Sequence, residues 1–131
     1  MNFRQACGTG WIGVSLLIGG CVDMGTEPML LRGGGAGVSF QLDILPILTS
    51  RGCTTCHGGN GGLFVGSVQQ LLQGGQHGPA VTPGDAAGSL IIRKLSPTPP
   101  FGDRMPRGGP FLDDATIQVI RTWIDHGAAN N

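Results

Sequence analysis

Residues 51–60 read RGCTTCHGGN, with Cys53 and Cys56 three positions apart and His57 directly after the second thiol. Two thiols and an imidazole so close together commit the chain around them to one of three chemistries. These are a dithiol redox switch, half of a zinc site, or covalent attachment of a haem. A zinc site wants four ligands, usually a second Cys-x-x-Cys or two histidines at short spacing. Here the other histidines, His77 and His126, stand far apart, and no cysteine follows Cys56. A thioredoxin-like dithiol opens a helix that follows a strand. No alternating run of β-branched residues precedes Cys53, and glycines follow His57.

The N-terminus bears on the choice because it sets the redox compartment. MNFRQ carries Arg4, and no acidic residue occurs before Asp23. Ala6 to Gly20 is apolar and ends in small residues. That stretch is shorter than a membrane span of about 20 residues and has the layout of a secretory signal. LIGGC, ending at Cys21, resembles the lipobox of bacterial lipoproteins. On that reading residues 1–20 are removed and Cys21 is acylated; the alternative is an ordinary signal cleaved nearby, with Cys21 incidental. Several acyl chains, at roughly 0.8 kcal/mol per buried CH₂, give stable anchoring to a lipid membrane. Four cysteines in a small exported chain would ordinarily read as two disulfides. Cys7, however, falls within the signal and Cys21 takes the lipid, so only Cys53 and Cys56 remain. In an oxidising compartment a free vicinal dithiol needs a purpose.

Cys-x-x-Cys-His supplies that purpose as the c-type haem attachment motif. Two thiols one short turn apart add across the two haem vinyl groups, and the next residue brings its imidazole to the iron. Cys53 and Cys56 are therefore expected as thioethers and His57 as proximal ligand. Composition agrees. The chain of 131 residues has 25 glycines and 9 prolines, but only 5 Phe, 2 Trp and no Tyr. Ordering a glycine costs roughly 0.5–1 kcal/mol more than ordering an alanine. A domain of about 90 residues so built has trouble burying enough apolar surface, so either it is poorly ordered or something other than protein fills its middle. The 8 Lys+Arg balance 8 Asp+Glu, which excludes the basic stripe of a nucleic-acid binder.

Three segments follow: a signal at 1–20, a Gly-rich tether at 21–39, and a domain at 40–131. Within the domain, Phe40, Ile44, Ile47 and Leu48 recur at helical spacing, and Pro46 suits a first turn or a kink. SVQQLLQGG predicts a short helix with Ser67 as N-cap and Gly74 past its end. A further helix is expected around Asp85 to Leu95 after a Pro83-Gly84 turn. SPTPPFGDRMPRGGPF reads as loop. In LDDATIQVIRTWIDHGA, Asp113 or Asp114 caps a helix whose buried face is Ile117, Ile120, Trp123 and Ile124, with Gly127 ending it. No strand pattern or internal repeat stands out, and the expected class is all-α with long loops.

A low-spin electron-transfer haem needs a sixth ligand. Met24 and Met29 lie in the tether, which leaves Met105 in the Pro-rich loop as the leading candidate. Pro106 restricts Met105 to extended backbone, which suits a side chain projected from a loop. His77 is the rival ligand, and a methionine filling a gap in the core is the plain alternative. His126 is most simply a charge favourable to a helix C-terminus.

The run CTTCHGGNGGL, LLQGGQHGPAVTPGDAAGSLIIRKL and RMPRGGPFLDDATIQVIRTWIDHGA, over about residues 40 to 129, resembles the class I cytochrome c fold. More closely, it is similar to cytochrome c domains common in planctomycetes and some proteobacteria. The resemblance implies one covalent haem c with its iron, Cys53 and Cys56 as thioethers, His57 as proximal ligand and Met105 as distal ligand. It also implies Trp123 packing near the haem-motif helix, and a backbone carbonyl near Pro79 orienting the proximal histidine. The family's second proline after the Met-Pro pair is Arg107 here. Among Arg93, Lys94, Arg104 and Arg107, Arg104 is the one to test for neutralising haem propionates.

The expected protein is a membrane-tethered, mono-haem carrier of single electrons with no catalysis of its own. Its partners would be redox proteins met transiently on the periplasmic side of a bacterial membrane, one form of which is a role as cytochrome subunit of an exported dehydrogenase. The competing reading is a haem with an open or labile distal site, acting as a peroxidase or as a gas or redox sensor.

Overall fold

Residues 37–131 are described by the computed structural model. The expected signal peptide (1–20), the lipidation site Cys21 and the tether short of residue 37 lie outside these described residues.

The chain enters through a π-helical turn, Phe40–Ile44, whose start is capped by Ser39 Oγ accepting from Leu42 N at 3.2 Å. It runs straight into α1, Leu45–Ser50, with Pro46 in the first turn, where a missing N–H leaves no helical bond broken. Phe40, Ile44 and Leu48 are buried as their spacing predicts. Helix α2, Cys53–Cys56, is a single turn entered through Gly52 at φ 71°. Helix α3, Val68–Gln73, starts at Ser67, whose Oγ accepts from Gln70 N, and stops at Gly74.

Helix α4 spans Leu90–Leu95 and is shorter than the expected element starting near Asp85. The cause is local. Ser89 is fully buried, and its hydroxyl donates to Asp85 O at 2.8 Å while accepting from Thr82 N at 2.9 Å. The Asp85 carboxylate in turn accepts from Gly88 N at 2.8 Å. Side chains thus satisfy the backbone of residues 82–89, and a turn outcompetes the helix.

Helix α5, Asp114–Asp125, is the longest. Asp113 caps it, accepting from Thr116 N at 2.7 Å and Thr116 Oγ1 at 2.9 Å, and these two donors hold its carboxyl below the ordinary carboxylate range. Among the described residues there is no strand, only two isolated bridges, Gly58 with Phe64 and Gly75 with Gly78. The class is all-α, as expected.

The two ends of the described chain are joined. Ile117, Ile120, Trp123 and Ile124 form the buried face of α5, and Trp123 meets Phe40 at 5.6 Å between ring centroids, tilted by 38°. The C-terminal residue fastens this crossing: Asn131 O accepts from Gln41 N at 3.1 Å and from Ser39 Oγ at 2.6 Å. Trp123 Nε1 donates to Ala129 O at 3.0 Å, so the buried indole leaves no polar atom unmet. Trp123→Ala is expected to lower stability by about 3–5 kcal/mol in urea unfolding, the usual cost of emptying a large aromatic site. A loss below about 1 kcal/mol would show that the crossing is not where the stability of this fold resides.

Candidate functional site

The α2 turn and its neighbours set the local geometry. His57 N donates to Cys53 O at 2.7 Å, which closes the turn and places the imidazole directly beyond it. Asn60 Nδ2 donates to Cys56 O at 2.7 Å, which fixes the exit. Cys53 and Cys56 are both free thiols. Cys53 is half-buried against the core, and that burial, assisted by the neighbouring Cys56, pushes its thiol up. Cys53 is therefore protonated at neutral pH. Cys56 is exposed.

All three residues line one cavity of about 820 Å³, inside the roughly 300–1,000 Å³ range of small-molecule and cofactor sites. Its apolar wall includes Leu48, Val65, Leu71, Leu95, Leu112 and Ile120, every one of them also part of the buried core. Met105, from the loop after α4, lines the same cavity. It is half-buried against the core, and its N–H donates to Lys94 O at 2.8 Å. The peptide bond between Met105 and Pro106 is cis. His77 also lines the cavity; its exposed ring stacks on Phe101 at 4.0 Å. His126 stays at the end of α5, with Nδ1 2.7 Å from Thr122 O.

Two expectations are corrected. Arg104 is absent from the wall of this cavity and lines a separate, smaller hollow. Its Nε donates to Leu95 O at 2.8 Å and its guanidinium lies 4.1 Å over the Phe111 ring, so carbonyl and aromatic contacts turn it away. The cations that do line the cavity are Arg51, Lys94 and Arg107. Arg51, two residues before Cys53, went unread in the sequence; its tie to Asp113 at 3.7 Å depends on α5 folding back. The second correction concerns Pro79. His57 Nδ1 is buried and has no hydrogen-bond partner, so no carbonyl near Pro79 receives it. On that segment Ala80 N and Val81 N donate to Leu71 O at 2.9 and 3.2 Å, and Ala80 O accepts from Ile91 N at 2.9 Å.

Glycines allow the loops to close against one another beside the motif. Gly74 has φ 71°, and a Cβ there would run into the Gly78 carbonyl. At Gly75 a Cβ would lie 2.6 Å from Gly61 O. Gln76 N donates to that same oxygen at 2.9 Å, which stitches the His77 loop to the turn after the motif.

The donor set fits a haem. Two free thiols and an imidazole come from five consecutive residues, a thioether faces the same largely apolar cavity, and the buried ring nitrogen is orphaned. Leaving a buried polar atom unpaired costs about 1–3 kcal/mol, which marks this imidazole as one held for a role other than bonding within the protein. Among the described residues no group of three His, Cys, Asp or Glu could hold a metal ion by itself.

Site and helices together describe a small all-α domain with two thiols, an imidazole and a thioether on one apolar cavity. Residues 53–106 match the family model described as Planctomycete cytochrome C, a stretch that opens on Cys53 and closes one residue after Met105. That match covers 54 of the 131 residues and supports a cytochrome c-type domain there, a family that implies haem c with its iron. No curated protein and no solved structure matches the chain.

Gly74→Ala tests the packing around the site. Positive φ and the collision with Gly78 predict a loss of more than about 1 kcal/mol in urea unfolding. An unchanged midpoint would mean that the α3 end is not held as tightly as its backbone contacts imply.

Proposed function

We propose that this protein is a one-electron carrier that holds a single haem c through thioethers at Cys53 and Cys56 and binds its iron through His57 and Met105. The observation that carries the reading is convergence. Side chains from α2 and from the loop beyond α4 line a single cavity of about 820 Å³, and its walls belong to the core.

A haem c bound there supplies reversible one-electron exchange between Fe(II) and Fe(III). The residues do the rest. Cys53 and Cys56 prevent loss of the cofactor outside the cytoplasm. Leu48, Leu71, Leu95 and Leu112 keep water away from the cavity interior. The soft Met105 thioether favours the reduced state and raises the potential relative to a bis-histidine site. Because His57 and Met105 both serve as ligands, no position is left for a substrate, which separates a carrier from a catalyst.

Residues 1–20 serve as an export signal and Cys21 as the acylated anchor, which puts the domain on the periplasmic side of a bacterial membrane. The partners are redox proteins that meet it through a small, transient interface. Removal of residues 1–20 takes away only one charged side chain, Arg4, and leaves 7 basic against 8 acidic residues, so long-range electrostatic steering is weak.

The test is visible and near-infrared absorption of the oxidised and reduced holoprotein, wild type beside Met105→Ala. The expected wild type is low-spin with a sulfur-to-iron charge-transfer band that the variant loses. A high-spin ferric wild type, or a spectrum indifferent to the substitution, would remove Met105 as ligand and favour a haem with an open distal site.

A further inference from the structure

Within the loop that carries Met105, Arg107 Nε donates to Asp103 Oδ2 at 2.6 Å and Gly109 N to Pro106 O at 2.9 Å, but neither bond reaches its first half. Pro97, Pro99 and Pro100 have no N–H to donate, and residues 96–110 contain no helix. Its carbonyls therefore need donors from elsewhere. Lys94, in the last turn of α4, provides them. The Lys94 ammonium donates to the carbonyl of Phe101 and, at 2.6 Å, to that of Asp103. It also lies 4.6 Å from the centroid of the Phe101 ring. Its own main-chain carbonyl accepts from Met105 N at 2.8 Å. One residue thus grips the loop at Phe101, Asp103 and Met105, and it lines the same cavity.

Two details separate this from an ordinary surface lysine. Among the described residues the Lys94 ammonium has no carboxylate partner within salt-bridge distance, since the ion pairs found are Arg51 with Asp113 and Arg107 with Asp103. Its charge is directed at backbone oxygens, in the charge-assisted bonds that are roughly twice as strong as neutral ones. In addition, the Phe101 ring beneath it stacks on His77 at 4.0 Å, so the grip extends to the loop after α3.

We propose that Lys94 is the positioning residue for the Met105 thioether: it keeps the loop closed over the cavity and so limits the fraction of molecules in which the sulfur is away from the iron. This rests on Met105 being the sixth ligand. An added ligand that needs the sixth position binds with an apparent affinity proportional to the fraction of open molecules, so imidazole can count them.

The experiment titrates the ferric holoprotein with imidazole while following the visible spectrum and the near-infrared sulfur band. Wild type is compared with Lys94→Met, Lys94→Arg and Met105→Ala, and urea unfolding is followed by far-ultraviolet circular dichroism. Lys94→Met should bind imidazole about tenfold more tightly than wild type, the effect of losing a charge-assisted bond or two that closes the loop. It should keep its sulfur band without imidazole and unfold near the wild-type urea midpoint. Lys94→Arg, which retains the donors, should restore wild-type affinity. Imidazole affinity unchanged in Lys94→Met overturns the proposal. Tighter binding matched by an equal loss of urea stability, or failure of Lys94→Met to accumulate as folded holoprotein, also overturns it, because the residue is then general scaffolding. Met105→Ala with its sulfur band intact would instead refute the ligand assignment itself, whatever the Lys94 variants do.

Discussion

The chain does not fill its own centre. Protein interiors pack to a density of about 0.75 with few voids larger than a water molecule, yet here a cavity of about 820 Å³ adjoins the core. Leu48, Leu71, Leu95 and Ile120 face both ways, belonging to the buried cluster and to the cavity wall. A core divided in this manner has room for a large apolar cofactor, and haem c is the one that a cytochrome c-type domain implies. The glycine excess and the shortage of aromatics follow from the same constraint. On the proposed function, apolar mass comes from the cofactor, while the backbone is free to run in loops around it.

Two arrangements keep the cavity in shape. One is the crossing of the first helical turn with α5, where Phe40 meets Trp123 and Asn131 closes the ends. The other is a set of loop contacts made through backbone oxygens: Gln76 on Gly61, Lys94 on Phe101 and Asp103, and Arg104 on Leu95. The crossing is built on the apolar contact of Phe40 with Trp123. The loop contacts are polar and local, and they hold the segments that carry His77 and Met105.

How much of this was legible in the sequence depended on how local each cause is. Ser67 and Gly74 marked helix ends correctly, and of the pair Asp113 and Asp114 it is Asp113 that caps, because caps act within a turn of the residue that makes them. The buried face of α5 was readable from its period. The start of α4 was not, since the Asp85 and Ser89 side chains satisfy the backbone that a helix would have used. Motif spacing brought out Cys53, Cys56 and His57, and elimination singled out Met105; the structure places all four on one cavity. Which cations face that cavity was not legible. Arg104 is turned away by Leu95 O and Phe111, and Arg51 is placed beside Asp113, contacts that exist only once distant segments have packed. The unpartnered Nδ1 of His57 is likewise a product of tertiary structure.

The central claim is that Cys53 and Cys56 bind haem covalently in this cavity, and intact mass under denaturing conditions tests it most directly. The protein would be expressed with export and haem-attachment machinery, beside a Cys53→Ser, Cys56→Ser double variant. The predicted result is a wild-type mass equal to the processed chain plus one haem, with the double variant at the bare chain mass. A bare wild-type chain, or haem that stays attached to the double variant, would contradict it.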